Sequence, residues 1–205
     1  GVMEQDMLRR TTKGTPQGGV VSPLLANIVL DELDKELASK GHAFVRYADD
    51  FVVLTKSKTD MEKVQILVHS VIEDKLNLQL SKEKTKVTSF KDGFDFLGFH
   101  INNQHVTIRT KSVERFRDKI KSLTTRSHNF SSSVIIKINR VIRGYANYHN
   151  TDFSNVNAQF ISLDQFTRKR LRCMKKTRIS RNDNFRIRNK FFRNKGLLFL
   201  YDFVP

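Results

Sequence analysis

The 205-residue sequence contains one cysteine, three prolines and no tryptophan. A single thiol, Cys173, excludes a disulfide framework and a cysteine-based metal site. No apolar run approaches the roughly 18 residues of a membrane helix, and the first residues have no signal-peptide pattern. The six histidines form no spaced ligand cluster and are assigned no metal. We therefore expect an intracellular protein without a membrane partner, cytoplasmic or nucleoid-associated in a bacterium and organellar in a eukaryote.

Charge of one sign is in excess, and it is unevenly placed. The chain has 37 lysines and arginines against 21 acidic residues, a formal net charge of +16. Residues 1–100 contain 14 basic and 15 acidic side chains, whereas residues 101–205 contain 23 and 6. This asymmetry indicates a near-neutral unit followed by one that binds a polyanion, with nucleic acid as the favoured partner. A ribosomal-type protein or a merely solvated basic surface would have the same composition.

The hydrophobic pattern of the first half alternates between helical and strand periods. The predicted elements are a loop at 14–19, a helix over 22–39, two short strands within 45–54, a helix that opens with a capping box at Thr59, a strand over 85–90 and a hairpin over 99–108. Beyond Thr110 the period becomes helical, and three amphipathic stripes predict a small bundle. The fold class is therefore α+β, an antiparallel sheet with packed helices followed by an all-α three-helix bundle. We place domain boundaries at 1–108, 109–182 and a basic, aromatic tail over 183–205.

The acidic pair Asp49-Asp50 is the sharpest chemical feature of the sequence. Such a pair at a hairpin tip is most often only a turn, because aspartate tolerates turn geometry. Apolar residues on both sides nevertheless predict a buried hairpin, whose charged tip would be costly to leave uncompensated. A hard cation such as Mg²⁺, held by carboxylates and substrate phosphates, would remove that cost. Phosphoryl transfer through two metal ions would need a further carboxylate from another strand.

Five motifs in the chain resemble those of group II intron reverse transcriptases, in the same order along the sequence. They are residues 14–28, which begin Gly-Thr-Pro-Gln-Gly-Gly; residues 46–50, Arg-Tyr-Ala-Asp-Asp; residues 80–86; residues 94–99, Phe-Asp-Phe-Leu-Gly-Phe; and residues 143–149, Arg-Gly-Tyr-Ala-Asn-Tyr-His. The last resembles the signature of the maturase, or thumb, domain. The resemblance implies a partial polymerase palm followed by a helical thumb and maturase bundle.

The resemblance also implies roles for individual residues. Asp49 and Asp50 would be catalytic carboxylates that bind Mg²⁺, with Asp49 the stronger ligand candidate. Leu97 and its neighbours Phe96 and Gly98 would form the primer grip, although Phe96 and Leu97 could simply be core residues. The residues that would contact template or incoming nucleotide are Pro16, Gln17, Gly18, Gly19, Tyr47, Ala48 and Lys84. Lys84 is equally well explained as a surface lysine.

The basic half offers a second candidate site, a surface that binds RNA. On the predicted helix around 133–150, four polar residues lie off the apolar stripe at helical spacing and could follow a phosphate backbone. The candidates on this helix and the next are Lys137, Arg140, Arg143, Asn147, Arg168, Arg172, Lys175 and Lys176. Tyr145 and Tyr148 are expected to pack in the bundle rather than stack on RNA. For Phe191 and Phe192, both core packing and base stacking are open.

The function implied by the resemblance is RNA-directed DNA synthesis with Mg²⁺, on an RNA template with a DNA primer and deoxynucleotides. Family members carry fingers and a first catalytic aspartate strand upstream, and these blocks are absent from the sequence. We therefore expect this chain alone to bind structured RNA but to polymerise little, and its partner could be the absent N-terminal part. The alternatives are a non-catalytic, maturase-like splicing cofactor and a defence- or CRISPR-associated relative.

Overall fold

The computed structural model describes residues 2–4, 7–9, 19–81, 83, 85–125, 130–175 and 186–204, with the backbone alone for 2–4, 7–9 and 175. The fold is mixed α+β, with small antiparallel sheets and helices followed by a helical region, which confirms the predicted class. The contacts divide the chain into two compact units, residues 1–86 and 87–205. The domain boundaries at 108 and 182 stay predictions. No helix among the described residues is both long and apolar enough to cross a membrane.

The first unit contains two β-hairpins and two helices. Its elements are β1 (Val2–Glu4), β2 (Met7–Arg9), α1 (Ser22–Ser39), β3 (Ala43–Tyr47), β4 (Asp50–Leu54), α2 (Lys58–His69) and a π-helical segment, Ser70–Lys75. Both hairpins are antiparallel, and β3 pairs with β4 from Ala43 opposite Leu54 to Tyr47 opposite Asp50. The predicted helix over 22–39 and the two strands within 45–54 are confirmed.

Helix α1 is buried along only part of its length. Leu30, Leu33 and Leu37 pack with the inner face of α2 and of the π-helical segment. The predicted stripe also included Leu25, Ile28 and Val29, which are exposed. The apolar period therefore predicted the helix correctly and its buried length incorrectly, because periodicity shows which residues share a face but not what covers them.

Two predictions of local structure between residues 57 and 90 are wrong. The cap of α2 is Ser57, whose hydroxyl oxygen accepts a hydrogen bond from the backbone N–H of Asp60 at 3.1 Å. The capping box proposed at Thr59 thus lies two residues too far along, although the helix itself is confirmed. Residues 85–89 form no strand. Their β-branched residues have strand propensity, but that propensity reflects packing on a sheet rather than an intrinsic preference.

One guanidinium joins the β3–β4 hairpin to helix α1. Arg46 of β3 donates from Nε and Nη2 to the carboxylate of Asp34, a residue of α1. Its Nη1 donates to the side-chain oxygen of Asn27 at 2.9 Å and to the backbone carbonyl of Ala48 at 3.0 Å. The bidentate pair raises the pKa of Arg46 further above its usual range. A single side chain therefore fixes the hairpin and its tip against the helix.

The second unit is a three-stranded sheet followed by helices. Its elements are β5 (Phe94–Phe96), β6 (Phe99–Ile101), β7 (Val106–Ile108), α3 (Thr110–Leu123), α4 (Ser132–His149), α5 (Asn157–Lys175), α6 (Asn189–Asn194) and a short 3₁₀ helix, Leu200–Phe203. The strands pair in the order β5-β6-β7, all antiparallel. The predicted hairpin over 99–108 and the three long helices are confirmed.

The core of the second unit joins the sheet, the bundle and the C-terminal segment. Ile138, Ile142 and Phe160 are fully buried between α4 and α5. The side-chain amide of Gln159 accepts from the Ile108 N–H and donates to the Ile108 carbonyl, both at 2.8 Å, and so ties β7 to α5. Phe192 is also fully buried. Of the segment predicted as a tail, the part at 186–204 therefore packs into the core rather than extending from it.

His149 lies in an aromatic cluster at the C-terminal end of α4. Its ring centroid is 5.1 Å from that of Phe99, 4.5 Å from Tyr145 and 4.9 Å from Tyr148. The imidazole Nδ1 has no hydrogen-bond partner among the described residues. Burial lowers the pKa of His149 to about 4, so the folded unit holds this ring neutral.

We predict that the stability of the second unit falls as the pH is lowered from about 6.5 towards 4. The unfolded chain protonates His149 near its ordinary pKa of about 6.5, whereas the folded chain resists protonation until about 4, so acid favours unfolding. The loss should reach about 3 kcal/mol across that window. Urea unfolding at a series of pH values should show this slope reduced in His149→Phe and retained in His105→Asn, which alters an exposed histidine. An unchanged slope in His149→Phe would contradict the prediction.

We predict that Asp34→Asn destabilises the first unit by about 1–3 kcal/mol, because it leaves the guanidinium of Arg46 without its charged acceptor. The matched control is Asp31→Asn on the same helix, which breaks an exposed ion pair with Lys35 at 2.8 Å and should cost clearly less, because solvent screens a surface pair. Chemical denaturation of the two variants beside the wild type measures both free energies of unfolding. Equal costs for the two substitutions would show that the Arg46 pair contributes no more than a surface pair.

Candidate active site and nucleic-acid interface

The acidic pair lies at the tip of the β3–β4 hairpin. Ala48 and Asp49 form the turn, with Ala48 at a positive φ of 54°, and Asp50 begins β4 opposite Tyr47. Both aspartates are exposed, and Tyr47 is 66% exposed. The expectation of a buried hairpin is therefore wrong, and so is the argument that its tip needs a cation to offset burial. The position of the pair at a hairpin apex is as predicted.

Arg46 also holds the backbone of the hairpin tip. Because its Nη1 donates to the Ala48 carbonyl, the left-handed backbone at Ala48 is fixed by the same group that joins the hairpin to α1. A non-glycine residue in that conformation costs of order 1 kcal/mol and persists where neighbouring contacts hold it. The carboxylates of Asp49 and Asp50 therefore project from a turn of defined shape, and neither is held by an ion pair with any described residue.

The donor set at this tip suits a hard cation. Mg²⁺ in proteins is commonly held by one or two carboxylates together with substrate phosphates, and Asp49 and Asp50 supply two exposed carboxylates. Within the described ranges, however, there is no group of three or more histidine, cysteine, aspartate or glutamate residues that could hold a metal by itself. The tip thus fits a site completed by substrate or by further ligands rather than a closed, all-protein site.

The other residues predicted near the nucleotide are only partly described. Pro16, Gln17, Gly18 and Lys84 lie outside the described residues. Gly19 is half-buried, and its carbonyl accepts a hydrogen bond from the Ser22 N–H at 3.1 Å, which places it at the start of α1. Tyr47 and Ala48 lie on the hairpin beside the acidic pair. Through Asn27 and Arg46, helix α1 and this hairpin are joined.

The predicted primer grip forms the tight turn between β5 and β6. Leu97 and Gly98 both have positive φ, 44° and 83°, and Phe96 pairs with Phe99 across the turn. The Leu97 carbonyl accepts a hydrogen bond from the Tyr148 hydroxyl of α4 at 2.8 Å. Glycine is favoured at 98 because its positive φ would strain a residue that has a Cβ. The turn is thus held by the helix that contains the fifth motif.

The residues predicted to bind RNA fall into three groups. Lys137, Arg140, Arg143 and Asn147 are all exposed on α4, so this set forms one accessible polar face. For Lys175 the side chain, and for Lys176 the whole residue, lie outside the described part of the chain. Arg168 and Arg172, on α5, are placed differently.

The two α5 arginines, Arg168 and Arg172, contact other residues of the fold. The guanidinium of Arg168 lies 5.0 Å from the ring centroid of Phe199, and burial lowers its pKa. Arg172 is only 9% exposed, and its Nε donates to the Ile187 carbonyl at 3.0 Å. The geometry therefore gives no support to a phosphate contact by Arg172 and little to one by Arg168.

Sequence reasoning missed the contacts that shape both turns. The pairing of Arg46 with Asp34 spans twelve residues, and that of Tyr148 with Leu97 spans fifty-one. Neither spacing is a local signal, so no periodicity could have shown them. Tyr145 packs in the bundle as expected, with its ring centroid 4.6 Å from that of Phe116, whereas Tyr148 is 54% exposed.

Comparison with known proteins matches both parts of the chain. Residues 3–101 match the family model of reverse transcriptase (RNA-dependent DNA polymerase), and residues 113–192 match that of the group II intron, maturase-specific domain.

Similar curated proteins point the same way. Protein YkfC of Escherichia coli K12 is 32% identical, over 49% of this chain and 35% of its own length. Group II intron-encoded protein LtrA of Lactococcus lactis is 27% identical, over 71% of this chain and 34% of its own. Maturase-like protein 1 of Euglena longa is 27% identical, over 62% and 28%. The chain thus spans about a third of the length of these relatives. It belongs to the reverse transcriptase family and carries a group II intron maturase domain.

Proposed function

We propose that this chain takes part in RNA-directed DNA synthesis as the palm and thumb portion of a group II intron-type reverse transcriptase, and that its maturase domain binds intron RNA. The observation that carries the proposal is the exposed Asp49-Asp50 pair on a hairpin tip fixed by Arg46. Family membership supplies the reaction class, and the basic face of α4 supplies a surface for nucleic acid.

In this proposal Asp49 and Asp50 would hold Mg²⁺ together with the phosphates of the incoming nucleotide. The chemistry that Mg²⁺ supplies when bound is stabilisation of the charge on the attacking and leaving oxygens of the transferred phosphate. The chain's own contribution is to present both carboxylates from a turn that does not reorganise, because the Ala48 carbonyl is tied to Arg46. The primer 3′-oxygen attacks the α-phosphate, and pyrophosphate leaves.

The remaining residues have positioning roles in the proposal. Gly19 at the start of α1 and Tyr47 and Ala48 beside the acidic pair contact template or nucleotide, together with Pro16, Gln17 and Gly18, which precede Gly19 in the sequence. Lys84 neutralises charge on the departing pyrophosphate. Phe96, Leu97 and Gly98 support the primer end, for which a tight turn with two positive φ angles offers close backbone approach.

A non-catalytic role in intron folding is the second candidate, and one observation favours it. The match to the maturase-specific domain covers residues 113–192, within the half of the chain that carries 23 basic and 6 acidic residues. Such a role needs the basic face of α4 and does not need the acidic pair. The two functions are compatible, and they separate by substitution at Asp49.

We predict that Asp49→Asn weakens the binding of Mn²⁺, a paramagnetic substitute for Mg²⁺, by at least about tenfold. Where the chain supports primer extension, alone or completed by a further polypeptide, the rate should fall by roughly a hundredfold or more. Affinity for structured RNA should not change, because the carboxylate does not contribute to phosphate binding.

Asp74→Asn, at an exposed aspartate of the same unit, is the matched control and should alter neither property. Mn²⁺ binding is measured by paramagnetic broadening of the amide resonances of residues 47–51. Unchanged broadening in Asp49→Asn would remove the metal site, and the catalytic half of the proposal with it.

We predict that the double substitution Arg140→Gln, Arg143→Gln weakens binding to structured RNA and reduces the slope of log affinity against log salt by about 1.5, since each lost phosphate contact removes about 0.7–0.9. Lys56→Gln with Lys63→Gln removes the same charge from exposed positions of the first unit and should leave the slope nearly unchanged. Fluorescence anisotropy over a salt series measures both slopes. Equal slopes in the two double variants would place the RNA away from α4.

A further inference from the structure

Two exposed aromatic rings adjoin the Leu97–Gly98 turn. Tyr148 is 54% exposed and Phe153 is 64% exposed, yet both pack on the ring of Phe99, which is only 8% exposed. The ring centroid of Phe99 lies 6.0 Å from that of Tyr148 and 5.8 Å from that of Phe153. Single exposed apolar residues are ordinary on protein surfaces. Tyr148 and Phe153 are thus two exposed rings that pack on the same buried ring, and we call these two residues the aromatic shelf.

The Tyr148 ring is fixed in place although it is exposed. Its hydroxyl donates to the Leu97 carbonyl at 2.8 Å, and its ring lies nearly parallel to that of Phe99, at 18°. The buried ring of His149 contacts it edge-on, with centroids 4.9 Å apart. A ring anchored at its hydroxyl and along one side loses little conformational entropy when a ligand packs on the rest.

Phe153 is fixed by a turn that follows α4. The Ser154 N–H donates to the Thr151 carbonyl at 3.0 Å, which closes a turn with Phe153 inside it. The Ser154 hydroxyl donates to the His149 carbonyl at 2.7 Å and accepts from the Thr151 N–H at 3.1 Å. The turn is thereby anchored to the end of α4, and Phe153 is presented from a defined backbone.

We propose that the aromatic shelf binds a nucleobase of the strand whose end lies at the Leu97–Gly98 turn. The proposal rests on the proposed function, which brings a primer strand to this turn. Every base has a π-face, so a ring that is fixed and exposed binds bases without regard to sequence. A nucleic acid is favoured over a protein segment because Lys137, Arg140 and Arg143 are exposed on the same helix and can hold the phosphates of the strand.

The test distinguishes the contribution of each aromatic ring from that of the Tyr148 hydroxyl. It also distinguishes base stacking from electrostatic binding of phosphates. Tyr148→Leu and Phe153→Leu each remove a ring, whereas Tyr148→Phe keeps the ring and removes only the hydroxyl. Tyr201→Leu is the matched control, because Tyr201 is another exposed tyrosine of the same unit and lies outside the shelf. The probe is a DNA primer with 2-aminopurine at its 3′ end, annealed to an RNA template and, separately, single-stranded. Base stacking is followed by quenching of the probe, affinity by anisotropy, and folding by thermal melting.

We expect each ring-removing variant to bind the probe about five- to a hundredfold more weakly and to lose quenching, since stacking of a base on an aromatic residue has that range of effect. The salt slope should not change, because no charge is altered. Tyr148→Phe should retain quenching, and Tyr201→Leu should behave as the wild type.

Two results would overturn the aromatic shelf. Wild-type quenching and affinity in both ring-removing variants would do so, including the case in which the shelf serves a protein partner. Equal losses in Tyr148→Phe and Tyr148→Leu would also do so, because the hydroxyl contact to the turn would then be responsible. If the wild-type chain binds no oligonucleotide at all, the proposed function itself fails and the inference fails with it.

Discussion

The geometry of the acidic hairpin depends on one guanidinium. Arg46 has five donors in a fixed plane, and it donates to three partners: the carboxylate of Asp34 and the side-chain oxygen of Asn27, both on α1, and the backbone carbonyl of Ala48 in the hairpin turn. A lysine could replace the charge but not the planar arrangement. Helix α1, strand β3 and the turn that carries Asp49 are therefore one assembly, and the catalytic proposal requires that assembly rather than the acidic pair alone.

Helix α4 of the second unit likewise makes different contacts on its different sides. One side of this helix contributes Ile138, Ile142 and His149 to the core, the opposite side exposes Arg140 and Arg143, and Tyr148 lies at the end between them. Because Tyr148 bonds to the Leu97 carbonyl, the helix that presents basic residues also fixes the turn assigned to the primer. Packing and turn support thus explain the motif over 143–149 without requiring the proposed contact with RNA.

Local sequence patterns predicted most helices and strands. Contacts between residues distant in sequence determined which of their faces are buried. The helix over 22–39 and the turn at Asp49 were predictable because Pro23, the apolar period and the strand-forming flanks act within a few residues. The exposure of Ile28 and Tyr47 was not, since it depends on what packs against a face. The absence of a strand at 85–89 has the same origin, because strand formation needs a partner as well as β-branched residues.

The basic residues of the candidate RNA-binding surface show the same limit of prediction from sequence. The second half of the sequence has a large basic excess, and counting alone assigns all of it to a polyanion. The structure divides these cations between two uses. Arg172 is buried with its Nε on the Ile187 carbonyl, and Arg193 pairs with Asp202 while its guanidinium lies 4.3 Å from the Phe199 ring centroid.

Arg172, which is buried, and Arg193, which is exposed, both contact the C-terminal segment. Asp164 accepts from the backbone N–H groups of Leu200 and Tyr201 at 2.8 and 3.0 Å, and burial raises the pKa of its carboxyl. The buried Arg172 is therefore not available to a phosphate backbone without loss of packing. Among the described residues, not every cation is therefore available to RNA, and Arg140 and Arg143 are among those exposed on a helix.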